Sequence, residues 1–368
     1  MGQDTTSKAA VSSSSRAKHL HRLLTLALAA IGATLFWSLD LPLPFLFGAM
    51  TACLVAALIR VPLSTLPVAS KLSRTVLGVA VGASLTPEVV ARLPQMMGSI
   101  AFIPLYVAVI GVVGIPYFHR LLKYDLATSY YSAMPGGLQD MIAFGQAAGA
   151  NLRALSLIHA TRILLIVTIA PLIISTGFGA PLDQPTGAPV AEVPVIELAL
   201  MFAAAIVGWK GGERVGLFGA TIIGPLILAG ALSLTGLIHA RPPAVAIQAA
   251  QFFIGMGIGV GYVGVTLHEI RRDVLAGTFY VAILAVLALI VTGIVVHLGF
   301  ANPLEGFLAF APGGQAEMTV LAIVTGADLG FVVVHHLLRV LLVIAGAPLI
   351  GAMIGLSKYA AAKRGDRE

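Results

Sequence analysis

Runs of about twenty apolar residues constrain this chain more than any other feature. Ile100–Phe118, Leu155–Ser175 and Thr278–Leu298 are of this kind, and each, as a helix, is long enough for the roughly 30 Å hydrocarbon core of a bilayer. In that medium every backbone N–H and C=O must be satisfied within the chain, so a spanning segment is a helix or part of a closed barrel. Barrel strands alternate apolar and polar residues, whereas these runs are continuous. Only 10% of the residues are charged and 58% are hydrophobic, against about a quarter charged in soluble domains. The expected class is an all-α polytopic membrane protein.

The net charge of +6 does not imply a nucleic-acid partner. The basic residues fall in short stretches between the apolar runs, where they orient a membrane protein. Cys53 is the one cysteine, which leaves no intramolecular disulfide and no cysteine cluster for a metal. No cofactor is expected. Residues 1–20 are polar and Ser-rich, without the pattern of a cleavable leader.

The chain repeats itself. Shifted by 177 residues, Pro135, Gly136 and Gly137 meet Pro312, Gly313 and Gly314, and Asp140 meets Glu317. His159 meets His336, Arg162 meets Arg339, Pro171 meets Pro348, and the glycines at 78 and 82 meet those at 255 and 259. General hydrophobicity does not place Pro, His and Arg in one register, so two halves are expected. The boundaries are a disordered cytoplasmic tail over 1–20, a first repeat over 21–176, an external linker over 177–194, a second repeat over 195–357 and a cytoplasmic tail over 358–368.

Ten spans are expected, near 22–39, 43–60, 71–86, 98–118 and 155–176, then 195–209, 217–238, 246–264, 274–298 and 330–355. A shorter broken segment, 127–147 or 305–324, precedes the last span of each half. If these segments turn back rather than cross, nearly all basic residues fall on one side, and only Arg92 and Arg241 fall on the other with the acidic linker. The positive-inside rule then places both termini in the cytoplasm. An odd number of spans per half inverts the second repeat, giving two inverted repeats of five transmembrane helices plus one re-entrant broken helix. Inverted repeats with interrupted helices are a transporter architecture.

Each break reads Pro-Gly-Gly. Proline cannot continue a helix ladder, and glycine admits backbone angles that other residues resist. A short helix is expected to resume at about Leu138, its free N–H groups favouring an anion. Pro135, Gly136, Gly137 and Gln139, with Pro312, Gly313, Gly314 and Gln315, are therefore candidates for binding a solute. A tight surface turn is the plainer alternative. Asp140 and Glu317 fall in the first turn of the resumed helix, either as local caps or as carriers of a proton or cation. Arg162 and Arg339 lie inside spans, where a charge costs about 2.5–3.5 kcal/mol. They either pair with Asp140 and Glu317 or offer a planar fork to an anionic substrate. His159 and His336 share a helix face with these arginines, as proton-coupling groups or as histidines bonded to the backbone. Asn151 and Asp328 read as N-caps, and the glycines at 78, 82, 255 and 259 as close helix packing. Tyr130, Tyr131, Phe307 and Phe310 line a solute path or pack as walls. No metal site is expected.

The stretches AMPGGLQDMIAFGQAAGANLRALSLIHATRILL and FAPGGQAEMTVLAIVTGADLGFVVVHHLLRVLLV resemble the duplicated AbrB-type integral membrane proteins of bacteria. Members are often labelled ammonia monooxygenase-like or regulators. The resemblance covers nearly the whole chain outside the N-terminal tail and the linker, and implies an inner-membrane protein with duplicated halves. It names no substrate. A monooxygenase needs a metal cluster and a DNA-binding regulator needs a soluble basic domain, and neither is visible in the residues. The expected function is secondary active transport of a small, anionic solute, coupled to a proton or another cation. A passive channel is the alternative, with a membrane enzyme or sensor behind it. The expected partners are the solute, the coupling ion and the lipid bilayer, and a homo-oligomer is compatible with that class.

Overall fold

A computed structural model describes residues 3–41, 43–185, 187–217 and 219–356, and their side chains except those of 3–16 and Gln139. The tail expected at 358–368 lies outside the described residues. Those described are helical throughout, with no strand. The first half runs through α1 (Gln3–Ser38), α2 (Pro44–Leu58) and α3 (Pro67–Gly82). Short α4 (Pro87–Ala91) and α5 (Leu93–Ile100) lead into α6 (Phe102–Pro116), closed by a π-helical turn at Tyr117–Leu121. Then come α7 (Leu126–Ala133), α8 (Leu138–Ala147) and α9 (Leu152–Gly177). The second half follows as α10 (Val195–Arg214), α11 (Ala220–Leu234), α12 (Ala244–Val260), α13 (Leu267–Glu269), a π-helical turn at Ile270–Val274, and α14 (Leu275–His297). It ends with α15 (Pro303–Phe310), α16 (Gln315–Thr325) and α17 (Leu329–Met353).

Among the described residues, six helices are long and apolar enough to cross a membrane: Ala17–Ser38, Leu93–Leu121, Leu152–Gly177, Val195–Arg214, Leu267–His297 and Leu329–Met353. Several carry apolar side chains that face outward at mid-helix, with Val112 74% and Phe202 71% exposed. Water would not tolerate so wide an apolar surface; lipid does. This is the build of a multi-pass membrane protein. Of the other four expected spans, three are shorter than expected, and α3 has the expected length but begins four residues earlier. α2, α3, α11 and α12 have 15, 16, 15 and 17 residues, or roughly 22–26 Å at 1.5 Å per residue. Local breakers cut them: α2 opens on Pro44 and closes before Arg60, which takes a left-handed φ of 66°. In the opposite sense α1 starts at Gln3, inside the segment expected as a tail, because no Pro or Gly interrupts residues 3–31.

The chain divides into two compact units, Met1–Arg74 with Val245–Thr266, and Thr75–Ala244 with Leu267–Glu368. In the first, α1 and α2 touch backbone to backbone at Gly32 and Gly48, and α12 lays Gly255 on the Leu46 carbonyl and Gly259 on that of Met50. In the second, α10 and α11 meet at Gly208 and Gly224, and the end of α3 lays Gly78 on the Ile222 carbonyl and Gly82 on that of Leu226. The third helix of each half thus packs on the second helix of the other. In lipid such contacts replace the hydrophobic effect with close van der Waals approach. Gly255→Val is expected to lower the thermal stability of the detergent-purified protein sharply, since its Cβ would overlap the Leu46 carbonyl. Gly257 has nothing within 4 Å of its would-be Cβ, so Gly257→Ala should be neutral or stabilising by up to about 1 kcal/mol through helix propensity.

The rest of the second unit is built around two hairpins, α7–α8 and α15–α16. Each opens on a capped turn: Asp125 accepts from Thr128 N at 2.9 Å and Asn302 from Glu305 N at 2.8 Å. The far end of each hairpin returns to the same place. Asn151 N donates to Thr128 Oγ1 at 2.7 Å, and Asp328 N to Glu305 Oε1 at 3.4 Å. Asn151 and Asp328 also cap α9 and α17, as their sequence context implies. The arms have 8 and 10 residues in one hairpin and 8 and 11 in the other, or roughly 12–17 Å each. Neither arm reaches across a bilayer alone.

Candidate functional site

The tips of the two hairpins are the Pro-Gly-Gly breaks. Met134 and Ala311 leave the helix in extended conformation, and the chain re-enters it after Gly137 and Gly314. α8 starts at Leu138, where the sequence places it. The glycines serve a different purpose from the expected one. None of the four takes a positive φ. They are small because side chains fold onto them: a Cβ on Gly136 would meet Met141 at 2.5 Å and one on Gly313 would meet Met318 at 2.6 Å. A Cβ on Gly137 would sit 2.5 Å from Asp140 Oδ2, and one on Gly314 would overlap Glu317 Oε2. Each acid stands three residues after the glycine that caps its helix, the position from which an acid reaches back to the cap. The N–H ends expected to receive an anion are thus covered by the chain's own carboxylates.

A broken helix also leaves orphan carbonyls, and here the arginines take them. Arg162 donates to Met134 O at 3.2 Å and Gly136 O at 2.6 Å; Arg339 donates to Ala311 O at 2.8 Å and Gly313 O at 2.7 Å. Both side chains are buried. The sequence offers the arginines same-half ion pairs, Arg162 with Asp140 and Arg339 with Glu317; these hydrogen bonds go to the tip carbonyls. The guanidinium fork fits two carbonyls of one tip, and a cation at the carbonyl end of a helix is stabilised by its dipole.

The histidines, read from the sequence as proton-coupling groups or as rings bonded to the backbone, join the same scheme. His159 Nε2 lies 2.9 Å from Tyr131 O and His336 Nε2 2.8 Å from Leu308 O. Arg339 donates to His336 Nδ1 at 2.9 Å. A guanidinium only donates, so Nδ1 is the acceptor, Nε2 carries the hydrogen, and the ring is neutral. In this arrangement His336 positions Arg339 and has no place for a second proton.

A fourth carbonyl at each break is held by a tyrosine that the sequence reading passed over. Tyr280, on α14, donates to Ala133 O at 2.8 Å, and Tyr106, on α6, donates to Phe310 O at 2.9 Å. Each comes from the half that does not contain the break. The signal was present: a tyrosine in an otherwise aliphatic run must find a partner for its hydroxyl. Tyr130 and Tyr131, by contrast, stack edge to face, and Tyr130 donates to Ala347 O at 2.8 Å. With Phe307 and Phe310 also buried, these four aromatics are walls.

The two breaks share one core. Tyr106 and Phe310 rings meet at 5.8 Å, Ala133 and Phe310 pack in one cluster with Tyr280, and Gly136 faces Val343 of α17. Arg162 lies within electrostatic reach of both Arg339 and Glu317. The charge of Glu317, from the other break, thus acts on Arg162. Among the described residues, Ser132 Oγ, His159 Nδ1, Arg162 Nε, Gln315 Nε2 and Arg339 Nε are buried without a hydrogen-bond partner. Pro135 and Pro312 are buried at the tips, and the Gln139 side chain lies outside the described residues. Two guanidiniums and an amide at the breaks thus keep spare buried N–H donors, a kind of group that pairs well with negative charge.

Comparison with known proteins places this arrangement. A protein of Escherichia coli (strain K12) called "Putative regulator AbrB" is 25% identical over 338 residues, covering 88% of this chain and 93% of its own. "Uncharacterized protein YhjN" of Bacillus subtilis (strain 168) is 26% identical over 296 residues, covering 75% of this chain and 76% of its own. Residues 45–355 match the family described as "Transition state regulatory protein AbrB". With both breaks, both arginines and all but the first of the helices inside that match, the chain belongs to the AbrB family.

Proposed function

We propose that this protein is a secondary active transporter that moves a small anionic solute together with a proton through a site between the two Pro-Gly-Gly breaks. The observation that carries the reading is the buried pair Arg162 and Arg339, in reach of each other, each with an unpartnered Nε. Two like charges at short range out of water are costly, and an anion between them removes that cost. Glu317 supplies the coupling. While ionised it lies against the α16 N-terminus and offsets Arg162; protonated, it withdraws that charge and leaves the site short of one anion. Proton and solute therefore favour each other's binding, which is the thermodynamic content of cotransport.

The repeated bonding supports two inverted repeats with re-entrant hairpins. Four carbonyls at each break, Tyr131, Ala133, Met134 and Gly136 against Leu308, Phe310, Ala311 and Gly313, are held by the same kinds of donor. Non-helical backbone inside a bilayer survives only where protein satisfies it, and here protein does. Both termini are then cytoplasmic and the linker external. The regulator in the relatives' names belongs to those names; the geometry favours a solute.

The test is uptake into liposomes containing the purified protein, with acetate, lactate, succinate, citrate, phosphate and sulfate as labelled solutes. Saturable accumulation of at least one, driven by an inward proton gradient and lost with a protonophore, is the expected result. A flux that never saturates and ignores the gradient would make the protein a channel.

A further inference from the structure

A cavity lies away from the breaks, on the linker side of the second unit. Its volume is about 730 Å³, and it is walled by the end of α3 and the turn after it (Ser84, Thr86), the linker (Gln184, Glu192), the 239–241 turn and the last turn of α16. Two bonds hold the linker over it: Gln184 N donates to Val324 O at 3.0 Å, and Ala244 N to Ala188 O at 3.1 Å. The 239–241 turn is held more firmly. The buried carboxylate of Glu197 accepts from His239 N at 3.0 Å and Ala240 N at 3.1 Å, and contacts His239 Nδ1 at 3.2 Å.

That fixed turn presents Arg241, a half-buried lining residue of the cavity. No hydrogen bond or ion pair engages its guanidinium among the described residues, and burial pushes its pKa below the ordinary arginine value. Glu197, the acid at this turn, is committed to its backbone, and the one acid on the cavity wall is Glu192 of the linker. A partly desolvated, always charged fork that the fold positions yet leaves unpaired calls for an external anion. α16 joins the cavity to the break: its first turn carries Gln315 and Glu317, its last turn is cavity wall, and its 11 residues cover roughly 16 Å.

We propose that this cavity is an anion-collecting vestibule, in which Arg241 binds a small inorganic or carboxylate anion on the linker side before it reaches the breaks. Its role as an entry site rests on the transport reading; the binding of an anion there does not.

The test measures the local field without transport. Cys53 is replaced by serine and Ala188, on the cavity wall, by cysteine. The thiol is then reacted with an anionic and with a cationic methanethiosulfonate of similar size. The anionic reagent is expected to react several-fold faster relative to the cationic one than it does with free cysteine. Arg241→Gln should lower that ratio about fivefold, high salt should compress it, and inorganic phosphate should slow the anionic reagent only when Arg241 is present. A ratio that Arg241→Gln leaves unchanged, or phosphate protection that persists without Arg241, overturns the proposal. Arg162→Ala leaves the ratio intact if the vestibule is a separate site, so absence of solute flux in every variant would sink the transport reading alone. In liposomes, Arg241→Gln should raise the half-saturating solute concentration and leave the maximal rate unchanged.

Discussion

Arg162→Ala is expected to abolish solute uptake and to destabilise the protein by about 2–4 kcal/mol. The variant strands two buried carbonyls, Met134 O and Gly136 O, now held at 3.2 and 2.6 Å, and each unsatisfied buried acceptor costs about 1–3 kcal/mol. It also removes a cation on which the charge of Glu317 acts. Arg162→Lys separates the two roles, because an ammonium keeps the charge but does not fork to two carbonyls. Thermal unfolding in detergent should rank wild type above Lys above Ala, and the same order should hold for Arg339. Glu317→Gln added to Arg162→Ala should recover part of the lost stability, since it removes the acid that the first change leaves uncompensated. Strictly additive effects would show that the two side chains do not interact. An Arg162→Ala protein that is as stable and as active as wild type would refute both the structural and the transport role.

Glu317→Gln is expected to uncouple transport from the proton. In wild type, uptake should rise as pH falls, because protonation removes the carboxylate that competes with the solute for Arg162. The variant should show no such slope. One proton per solute supports about tenfold accumulation per unit of pH gradient, as one unit is worth about 1.4 kcal/mol per proton. That accumulation should vanish in the variant, while exchange of internal for external solute continues at a fixed pH. Retention of gradient-driven accumulation would move the coupling role away from Glu317. Asp140→Gln is the comparison. Asp140 also folds onto its capping glycine, while the coupling role is assigned to Glu317, whose charge acts on Arg162, so loss of Asp140 should reduce uptake without flattening the pH slope.

Much of this site is legible in the residues. The breaks, the acids three residues after each capping glycine, and the histidine–arginine pairs all stand in one register, and the structure brings them to two adjoining tips. The caps at Asn151 and Asp328 and the packing role of the four spaced glycines follow from local rules. What the residues do not show is the acceptor each donor finds. Arg162 has an acid 22 positions earlier in sequence, and pairing the two is the natural guess; in space its guanidinium also holds two carbonyls of the tip. Tyr106 and Tyr280 stand outside the repeat register, and only their reach across to the opposite break reveals them.

The sequence by itself determined that the chain is helical and membrane-embedded, where its helices break, and that one set of polar residues occurs twice. Those properties depend on apolar length, on proline and glycine, and on spacing, all of which are local to the chain. Tertiary structure alone decided that the arginines hold the carbonyls of the breaks, that the glycines are needed for room rather than for φ, and that each third helix packs against the other half. These depend on distances between segments far apart in sequence, and in a low-dielectric interior the closest well-aligned acceptor wins whatever its position in the chain.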